Sequence, residues 1–417
     1  MRVIILNTDE EAAPELRALL LSVEGVKIVA EVDDPALLVQ ALGQFPAEVL
    51  LLHLDPHPAA TMELVAPLIA ARKDQLAAIA MTESKDAELV VRAMRAGMRE
   101  FLWKPFPPEQ LCEILRRVSR ETPADSQRSG RLLPVVGCCG GVGATTVAIN
   151  LAVELAQLPS WVGRNGRQSQ KPRVAIVDLD FRFGQVAMFL DTQPQYTIAE
   201  LGDTPEHIEA QMIERVMVKH PSGVHVLARP VELEQAERIS AAQCAGVLAA
   251  LLEHYDFVVV DGPVRFDPSA RAVFDMTDLY LLVLQLLVPP VRTADRLMQE
   301  LRRAGYNLDK VRLACNRVGR DSGYLETSDV ETTLNRKLDW LLPDDWRTAS
   351  TAVNVGAPLR DAAPKSRLRA ALQQMAQEIA SRAGAGEQAR PRAAEAGGDA
   401  RAPGGARKGL LSTLFAG

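Results

Sequence analysis

The sequence predicts an α/β protein built from two doubly wound parallel-sheet domains. Short apolar runs alternate with amphipathic helical patterns five times in the first 120 residues. A glycine-rich loop then separates an apolar run from a helical pattern, and two later apolar runs end in aspartate. Strands that alternate with helices are typical of parallel sheets, because each helix returns the chain to the start of the next strand.

The length and composition of the chain exclude several classes of protein. A chain of 417 residues is long enough for two domains, and its net charge of −6 gives no sign of a nucleic-acid partner. The apolar run at Val3–Leu6 meets acidic residues too soon for a signal peptide, and the most apolar segment, 279–291, is shorter than the ~20 residues that span a bilayer. Five cysteines without metal-ligand spacing indicate reduced thiols, so a cytoplasmic location is expected.

The first domain is predicted over residues 1–120. Each of its five units pairs a strand-like run with a helical pattern. The strands are expected at 3–6, 26–32, 48–52, 77–81 and 100–102, and the helices at 14–23, 37–42, 62–71, 89–96 and 109–118. Units of this size fit one doubly wound sheet.

Two landmarks of the first domain resemble those of the response-regulator receiver domain, which has a flavodoxin-like fold. Thr82 ends the fourth predicted unit's strand, and Lys104 follows the fifth strand within Lys104-Pro105-Phe106. The resemblance implies that this threonine and this lysine contact a phosphorylated aspartate, and that an acidic pair after the first strand binds magnesium.

The residues at that phosphorylation site depart from the family pattern. Asn7 and Thr8 stand where the acidic pair is expected, and His53 stands at the acceptor position. Magnesium needs clustered oxygen ligands such as carboxylates, so the site is expected to be degenerate, and the domain to dock partners or dimerise rather than to accept a phosphoryl group. Asp55 lies two residues beyond the acceptor position. Three nearby carboxylates remain as alternatives: Asp9, Glu10 and Asp55.

A polar linker is predicted over 121–131, and a second domain over 132–383. Its strands are expected at 132–136, 173–180, 257–261, 279–284 and 311–315, with a final helix at 366–382. The second strand ends in Asp178-Leu179-Asp180, and side-chain alternation along a strand places both carboxylates on one face. The third strand ends in Asp261. Ligands of such sheets lie at the carboxyl ends of the strands, where these aspartates collect.

The loop from Gly137 to Thr146 has the pattern of a phosphate-binding loop without its lysine. Its glycines allow backbone N–H groups to face phosphate oxygens, and the helix that follows adds positive field at its N-terminus. Ala144 occupies the position of the lysine that reaches the β- and γ-phosphates. A unit charge about 4 Å away contributes roughly 4 kcal/mol, before desolvation, at an effective dielectric of 20. We expect weakened nucleotide binding and slow chemistry; a domain that survives only as a scaffold is the alternative.

The second domain resembles the deviant-Walker ATPases of the ParA/MinD type. The segment Cys139–Thr146 matches their Lys-Gly-Gly-x-Gly-Lys-Thr-Thr loop, with Cys139 and Ala144 in place of the two lysines. The resemblance implies ATP or ADP and Mg²⁺ as cofactors, and Asp180 as the residue that orients water in any hydrolysis. Two arginines near the aspartates, Arg182 and Arg265, are candidates to replace the missing cation, with solvated surface arginines as the alternative. The implied nucleotide-binding residues are Gly140, Gly141, Val142, Gly143, Ala144, Thr145, Thr146, Asn316, Arg317 and Pro343, and the implied magnesium ligands are Thr145, Asp178 and Asp261.

The order of the two domains resembles the CpaE/TadZ family of Tad (Flp) pilus assembly proteins. The segment Asp178–Asp191 is especially similar to that family's sequence after the second strand. The resemblance implies a polar localisation factor that forms nucleotide-linked homodimers and positions the pilus machine. Its implied partners are the Tad pilus secretion ATPase and inner-membrane components. The basic insert Trp161–Arg173 departs from the family and is interpreted as a solvated loop, with DNA contact as the alternative.

Residues 384–417 are predicted to form a tail. Ala, Gly, Arg and Pro dominate residues 383–408, a composition that favours disorder. The last residues place Arg407 and Lys408 beside four apolar side chains, at Leu410, Leu411, Leu414 and Phe415. This pattern fits weak membrane contact or docking on a partner, so a peripheral position at the inner membrane or the cell pole is expected.

These observations favour an ATP-binding localisation and assembly scaffold with weak or absent ATPase activity. An active ParA-type ATPase that partitions DNA or other cargo is the first alternative, and the loss of both loop lysines argues against it. A phospho-signalling response regulator is the second alternative, and His53 at the acceptor position argues against it.

Overall fold

The computed structural model describes residues 1–9, 11–23, 25–45, 47–72, 75–121, 130–159, 171–202, 208, 210–263, 268–319 and 325–384. Glu10, Arg265, most of the predicted linker, most of the basic insert and the tail beyond Gly384 lie outside these residues. Within the described residues, two separate β-sheets confirm the predicted pair of α/β domains.

The first sheet, within the described residues, has five parallel strands: β1 (Arg2–Asn7), β2 (Lys27–Val32), β3 (Val49–His53), β4 (Ala77–Thr82) and β5 (Glu100–Trp103). Their order is β2-β1-β3-β4-β5, the flavodoxin-like arrangement of a doubly wound sheet. Every residue of β3 and β4 is buried, as expected for central strands covered on both faces. Asn7 and His53 are partners in register, so the carboxyl ends of β1 and β3 meet.

Helices flank this sheet: α1 (Ala13–Ser22), α2 (Leu38–Gln44), α3 (Pro58–Arg72), α4 (Ala87–Arg95) and α5 (Pro108–Glu121), with a 3₁₀ turn at Pro35–Leu37. The carboxylate of Asp86 caps α4 by accepting the N–H of Glu88 at 2.9 Å. The third helix begins at Pro58, earlier than predicted, because the first turn of a helix tolerates a residue without an N–H.

The second sheet, again within the described residues, has eight strands: β6 (Arg131–Gly137), β7 (Val174–Asp178), β8 (Val218–Lys219), β9 (Val224–Leu227), β10 (Phe257–Asp261), β11 (Tyr280–Leu284), β12 (Val311–Val318) and β13 (Trp340–Pro343). Their order is β13-β12-β11-β6-β10-β7-β9-β8, and only the edge strand β8 pairs antiparallel among these described strands. Asp178 and Asp261 are partners in register. The carboxyl ends of β6, β7 and β10 therefore lie side by side.

Two strands of the second sheet differ from the sequence prediction. β7 ends at Asp178, so the prediction that Asp178 and Asp180 share one strand face is wrong. The chain turns there because Asp178 Oδ1 accepts the N–H of Asp180 at 3.2 Å, a local bond that replaces the strand ladder. β13 has no counterpart among the predicted strands; Pro343 ends this edge strand, a position where no N–H is needed by a further strand.

Helices cover both faces of the second sheet: α6 (Ala144–Ala156), α7 (Val186–Phe189), α8 (Ile198–Gly202), α9 (Ala210–Val216), α10 (Leu233–Arg238), α11 (Ala241–His254), α12 (Pro268–Asp275), α13 (Val288–Arg303), α14 (Thr327–Leu334), α15 (Trp346–Asn354), α16 (Leu359–Ala362) and α17 (Arg367–Gly384), with a 3₁₀ turn at Leu308–Lys310. Every residue of α6 from Val147 to Ala156 is buried. The amide of Asn150 is satisfied there, because it donates to Thr146 O at 2.8 Å and accepts the N–H of Leu359 at 2.7 Å. Among the helices of the described residues, none combines the length and the apolar character that a membrane span needs.

The last described helix, α17, packs along α6. Glu154 of α6 is 3% exposed and accepts from Arg369 Nε at 2.8 Å. Trp340 Nε1 donates to Glu378 at 2.8 Å and fixes the other half of α17 to β13. Apolar residues of the two helices share one core cluster: Leu151, Leu155, Leu372, Met375 and Ile379.

The two domains meet where β2 and α1 pack against α11, α12 and the segment after α13. Lys27 is buried there and donates to Asp278 Oδ2 at 2.8 Å and to Gly130 O at 2.9 Å. Arg17 hydrogen-bonds to the carboxylate of Asp275. Charge pairs buried at a domain interface fix one relative arrangement, because separation leaves each charge without its partner.

Small residues allow the domains to approach closely along this interface. Gly305 has a φ of 81°, and a Cβ at this position would lie 2.9 Å from the Cβ of Ala18. Val29 of β2 belongs to the same apolar cluster as Ala245 of α11. A cavity of about 760 Å³ follows the interface and is lined by residues of both domains.

Candidate functional site

The glycine-rich loop connects β6 to α6 at the centre of the second sheet. β6 ends at Gly137, and α6 begins at Ala144 with Gly143 as its N-cap residue. Gly141 and Gly143 have φ values of 77° and 91°, a left-handed backbone that glycine adopts without strain. Among the described residues no side chain caps α6, so its first N–H groups are available to phosphate oxygens.

Two side chains of β12 and one from the residue after β11 brace the carbonyl oxygens of this loop. Asn316 Nδ2 donates to Val142 O at 2.7 Å. Arg317 Nη2 and Gln285 Nε2 donate to Gly141 O at 3.3 Å and 3.4 Å. These bonds hold the loop in one conformation before any ligand binds.

Both ends of the Asn316 amide are engaged with the protein. Its Nδ2 holds the loop, and its Oδ1 accepts the N–H of Arg317 at 2.9 Å. A Cβ at Gly143 would lie 2.5 Å from Asn316 Nδ2, so this side chain requires glycine at the N-cap. Asn316 is therefore a brace in this conformation, and its contact with a base stays a prediction.

Two buried aspartates lie beside the loop. Asp178 and Asp261 end neighbouring strands and are 2% and 4% exposed. Burial, together with the charge of Asp261, raises the pKa of Asp178 to about 8. Burial also raises the pKa of Asp261 to about 7, and the hydrogen bond from Thr145 only partly opposes this effect. Near neutral pH the two carboxylates therefore keep part of their protons.

The oxygen atoms of Thr145, Asp178 and Asp261 fit a magnesium ion. Within the described residues no three His, Cys, Asp or Glu side chains are grouped to hold a metal by themselves. Magnesium does not need such a cage, because it binds through one or two carboxylates together with water and substrate phosphates. The donor set is therefore compatible with magnesium that is shared with bound phosphates.

The turn after β7 fixes the carboxylate of Asp178. Its two oxygens accept the N–H groups of Asp180 at 3.2 Å and of Val186 at 3.1 Å. The backbone of Gly184 passes so close that any Cβ would overlap the Asp178 oxygens. Asp180 accepts the N–H of Phe183 at 3.1 Å and so shapes the same turn; its role in orienting water stays a prediction.

Ala144 leaves the loop without its lysine, and the described arginines replace that charge only in part. Arg317 contacts the loop backbone, as described above. Arg182 is half exposed and lies 3.8 Å from Glu237, an acidic residue away from the loop. Of these two arginines, only Arg317 contacts the loop, so the missing lysine is replaced only in part.

The two cysteines at the start of the loop are not a reactive pair. Cys138 is buried, and burial raises the pKa of its thiol to about 12, so the thiolate that reacts is scarce. Cys139 Sγ lies 3.6 Å from Thr293 Oγ1. The five cysteines all lie within the described residues, and none of them forms a disulfide.

The cavity on the predicted base side of the loop is small. Its volume is about 50 Å³, and its lining includes Thr146, Pro343 and Trp346. Small-molecule sites usually have about 300–1,000 Å³. Trp346 in this lining is 61% exposed, and in this conformation the cavity is smaller than a typical small-molecule site.

The predicted residues of the first domain also come together, at the carboxyl end of the first sheet. His53 is buried, and its Nδ1 lies 2.6 Å from Asn7 Oδ1. Thr8 Oγ1 donates to the backbone oxygen of Asp55 at 2.9 Å. Burial, and then the charge of Lys104, lower the pKa of His53, so its imidazole is neutral near pH 7.

Asp55 lies at the centre of this group. Thr82 Oγ1 donates to Asp55 Oδ1 at 2.6 Å, and Lys104 Nζ lies 3.2 Å from Asp55 Oδ2. Burial acts to raise the pKa of Asp55, but the hydrogen bonds from Thr82 and Lys104 outweigh it and lower that pKa. Asp55 is thus ionised and paired.

Comparison with known proteins assigns both halves of the chain. The model of the response regulator receiver domain matches residues 3–116. The septum site-determining protein MinD of Thermotoga maritima is 22% identical over 236 residues, which cover 55% of this chain and 81% of that relative. A ParA family ATPase from Chlorobium tepidum TLS superposes with a TM-score of 0.55 and 18% identity, over 60% of this chain and 99% of that one. MinD of Pyrococcus horikoshii OT3, solved with Mg-ADP, superposes with a TM-score of 0.51 and 20% identity, over 61% and 98%.

This chain joins a receiver domain to a domain of the ParA/MinD fold. The two resemblances seen in the sequence are confirmed at this level. The receiver domain supplies β1–β5, and the ParA/MinD-fold domain supplies the sheet with the glycine-rich loop.

Sequence reasoning missed two residues that shape the site of the ParA/MinD-fold domain, and it gave a third, Asp55 of the receiver site, only as an alternative. The backbone at position 184 packs so closely against Asp178 that it requires glycine. The sequence indicates this only by a glycine between two segments that contain aspartate. Gln285 braces the loop of the ParA/MinD-fold domain, and its signal was a lone polar residue after the apolar strand β11. Asp55 is the hub of the receiver site, but counting from the strand end placed it outside.

Magnesium should stabilise the ParA/MinD-fold domain more at alkaline than at acidic pH. The folded protein keeps protons on Asp178 and Asp261 up to about pH 8 and about pH 7, whereas the ordinary pKa of an aspartate is 3.8. Because the folded state binds more protons in that window, the contribution of these groups to the free energy of unfolding falls as pH rises from about 4 to about 8. A divalent cation replaces the protons, so we expect MgCl₂ to raise Tm more at about pH 8.5 than at about pH 6.

Thermal unfolding with and without MgCl₂ measures this effect, with NaCl of equal ionic strength as the salt control. In Asp261→Asn the pH dependence of the magnesium effect should shrink. An equal magnesium effect at both pH values in the wild type would contradict the assignment of these carboxylates.

Proposed function

We propose that this chain is a nucleotide-binding localisation and assembly factor for a Tad (Flp) pilus, which acts as a homodimer with slow or absent ATP hydrolysis. The glycine-rich loop carries the proposal. Its braced backbone, Thr145 and the two buried aspartates are suited to a nucleotide with magnesium, but Ala144 removes the cation that the chemistry needs. This combination favours a protein whose bound nucleotide controls assembly.

The proposed ligand is ATP or ADP with Mg²⁺. The N–H groups of Gly140–Thr146 would hold the phosphates, and Thr145, Asp178 and Asp261 would hold magnesium. Bound magnesium neutralises charge on the phosphate oxygens. Asn316, Arg317 and Pro343 would border the base, and Asp180 would orient water. The MinD structure solved with Mg-ADP, which shares this fold, supports the choice of ligand.

Slow turnover follows from the charges near the loop. Cations beside the transferred phosphoryl group stabilise its transition state, and losing one of them lowers the rate more than the affinity. Arg317 donates to a loop carbonyl, so part of its bonding capacity is already used. We therefore favour a scaffold over an active ParA-type ATPase that moves DNA or cargo.

The receiver domain supports the same proposal as a docking module. A histidine stands at the acceptor position, and Asp55 is already bonded to Thr82 and Lys104. These features disfavour a phospho-signalling role. The proposed partners are a second copy of the chain, the pilus secretion ATPase and inner-membrane components. A peripheral position at the inner membrane or the cell pole, assisted by residues 407–417, belongs to the same proposal.

Nucleotide affinity, turnover and oligomeric state, measured together, test the proposal. We expect calorimetry to detect Mg-ATP binding by the wild type, and Thr145→Ala to weaken it at least tenfold, about 1.4 kcal/mol, because a magnesium ligand is lost. Thr332→Ala removes an exposed helix hydroxyl remote from the loop and is the matched control. Turnover should stay below ~1 per second, and Mg-ATP should shift the protein towards a dimer in light scattering.

Each result has a contrary outcome. No binding at millimolar nucleotide would leave the domain as a scaffold without a ligand, and kinase-like turnover would favour the active ATPase. In cells, loss of the protein should abolish Tad pili, and Thr145→Ala should restore fewer pili than the wild type does. Normal pili without the protein would refute the pilus assignment while leaving nucleotide binding intact.

A further inference from the structure

Three donors of different kinds converge on the carboxylate of Asp55. They are the hydroxyl of Thr82 at 2.6 Å, the ammonium of Lys104 at 3.2 Å and the backbone N–H of Glu83, 3.0 Å from Oδ2 and 3.3 Å from Oδ1. A cation, a hydroxyl and a backbone N–H form a donor set that binds oxyanions well, because each donor reaches a separate lone pair. Two separate segments supply it, since Thr82 ends β4 and Glu83 follows it, while Lys104 follows β5.

The backbone around Asp55 is fixed so that its carboxylate reaches these donors. Leu54 N–H donates to Met81 O at 2.9 Å, which continues the pairing of β3 with β4 by one residue. Thr8 Oγ1 donates to Asp55 O at 2.9 Å, which ties the same residue to the segment after β1. The Asp55 side chain is 15% exposed. The carboxylate is thus held inside the site rather than displayed to solvent.

His53 does not compete for this position. Asn7 Nδ2 donates to Asp9 O at 2.9 Å, so Asn7 Oδ1 is the atom that accepts from His53 Nδ1–H. The proton of the neutral ring is therefore on Nδ1, and Nε2 is an acceptor, buried and without a hydrogen-bond partner among the described residues. It lies 3.5 Å from Asp55 Oδ2, which is also an acceptor. His53 therefore brings no charge and no hydrogen-bond donor to Asp55. Among these contacts, Asp55 is the anion that accepts from both Thr82 and the Glu83 N–H.

We propose that Asp55 is a built-in occupant of an oxyanion site formed by Thr82, the Glu83 N–H and Lys104. The carboxylate holds the segments after β4 and β5 in one anion-bound arrangement and keeps external phosphate or sulfate out. Lys104 has a second acidic neighbour, Glu83 Oε1 at 3.4 Å, but that carboxylate is largely exposed and does not reach Thr82. This device lies in the receiver domain and does not depend on nucleotide binding.

Removing the Asp55 carboxylate should therefore open the site to an external oxyanion. The experiment compares the full chain and Asp55→Ala in thermal unfolding, with sodium sulfate titrated against sodium chloride of equal ionic strength. We expect Asp55→Ala to lose several degrees of Tm in chloride and to recover most of that loss in sulfate. The wild type should show only the general stabilisation that sulfate gives to proteins.

Two further variants decide the interpretation. Asp33→Ala removes an exposed carboxylate from the same domain and should behave as the wild type does. Adding Thr82→Ala to Asp55→Ala should remove the sulfate-specific recovery, because one donor is missing. If Asp55→Ala gains no more Tm from sulfate than Asp33→Ala gains, the proposal is overturned.

A second variant covers the case in which Asp55→Ala fails to fold. Asp55→Ser keeps a polar side chain but lacks the charge and the reach to these donors, and sulfate should shift the amide resonance of Glu83 in this variant and not in the wild type. An unshifted Glu83 resonance at saturating sulfate would equally overturn the proposal.

Discussion

Replacing Lys27 with alanine is expected to lower the free energy of unfolding by about 3–5 kcal/mol, the usual cost of removing one partner of a buried ion pair. The Lys27 side chain is 5% exposed and spans the domain interface to Asp278 and Gly130 O. Burial acts to raise the pKa of Asp278, but Lys27 and the N–H of Leu132 outweigh it and lower that pKa. The variant leaves this carboxylate charged without its cation.

Urea unfolding followed by tryptophan fluorescence measures the loss. Lys337→Ala is the matched control, because Lys337 forms an ion pair of 2.6 Å with Glu331 but is 88% exposed, and such pairs contribute about 1 kcal/mol or less. The double variant Lys27→Met with Asp278→Asn should recover most of the stability, because it removes the unpaired charge. A cost for Lys27→Ala no larger than that of Lys337→Ala would mean that the domain interface is not held by this pair.

Gly184→Ala is expected to abolish the response of the ParA/MinD-fold domain to magnesium. The added methyl group would overlap the oxygens of Asp178, which two backbone N–H groups hold in place. Overpacking of this kind costs about 1–3 kcal/mol, and here it also displaces a proposed metal ligand. We expect the magnesium-dependent rise in Tm to disappear and Mg-ATP affinity to fall at least tenfold, about 1.4 kcal/mol.

Thermal unfolding and calorimetry check this prediction side by side. Gly43→Ala, in α2, adds a methyl group that meets nothing within 4 Å, so it should leave the magnesium response unchanged. A Gly184→Ala protein with the magnesium response of the wild type would show that the Asp178 carboxylate is not a ligand, whatever its cost in stability.

The sequence predicts those parts of the sites that depend on local pattern. Buried parallel strands read as short apolar runs, so the end of β10 at Asp261 is visible without a structure. The glycine-rich loop is visible as well, because positive φ values at Gly141 and Gly143 demand glycine. These local requirements are met by residues that are adjacent in the chain.

Features that depend on distant contacts escape this reasoning. The chain turns before Asp180 because Asp178 accepts the N–H of Asp180, and the backbone of Gly184 packs closely against the same carboxylate. Hydrophobic periodicity does not indicate such contacts. The pairing of Lys27 with Asp278 joins residues of different domains. The sequence offers Asp55 only as an alternative, because it lies two residues beyond the acceptor position and its contacts with Thr82 and Lys104 join separate segments.

The helix α17 connects the region of the glycine-rich loop to a distant part of the ParA/MinD-fold domain. This helix of 18 residues is about 27 Å long, and its first turns, at Leu368 and Leu372, line the small cavity beside Gly143 and Thr146. Its other end, Gly384, is where residues 385–417 join the domain. The Glu154–Arg369 pair and the apolar contacts with α6 join α17 to the helix whose first residue, Ala144, closes the glycine-rich loop. Through α17, the lining of that cavity and Gly384, at the far end of the helix, belong to one continuous rigid element.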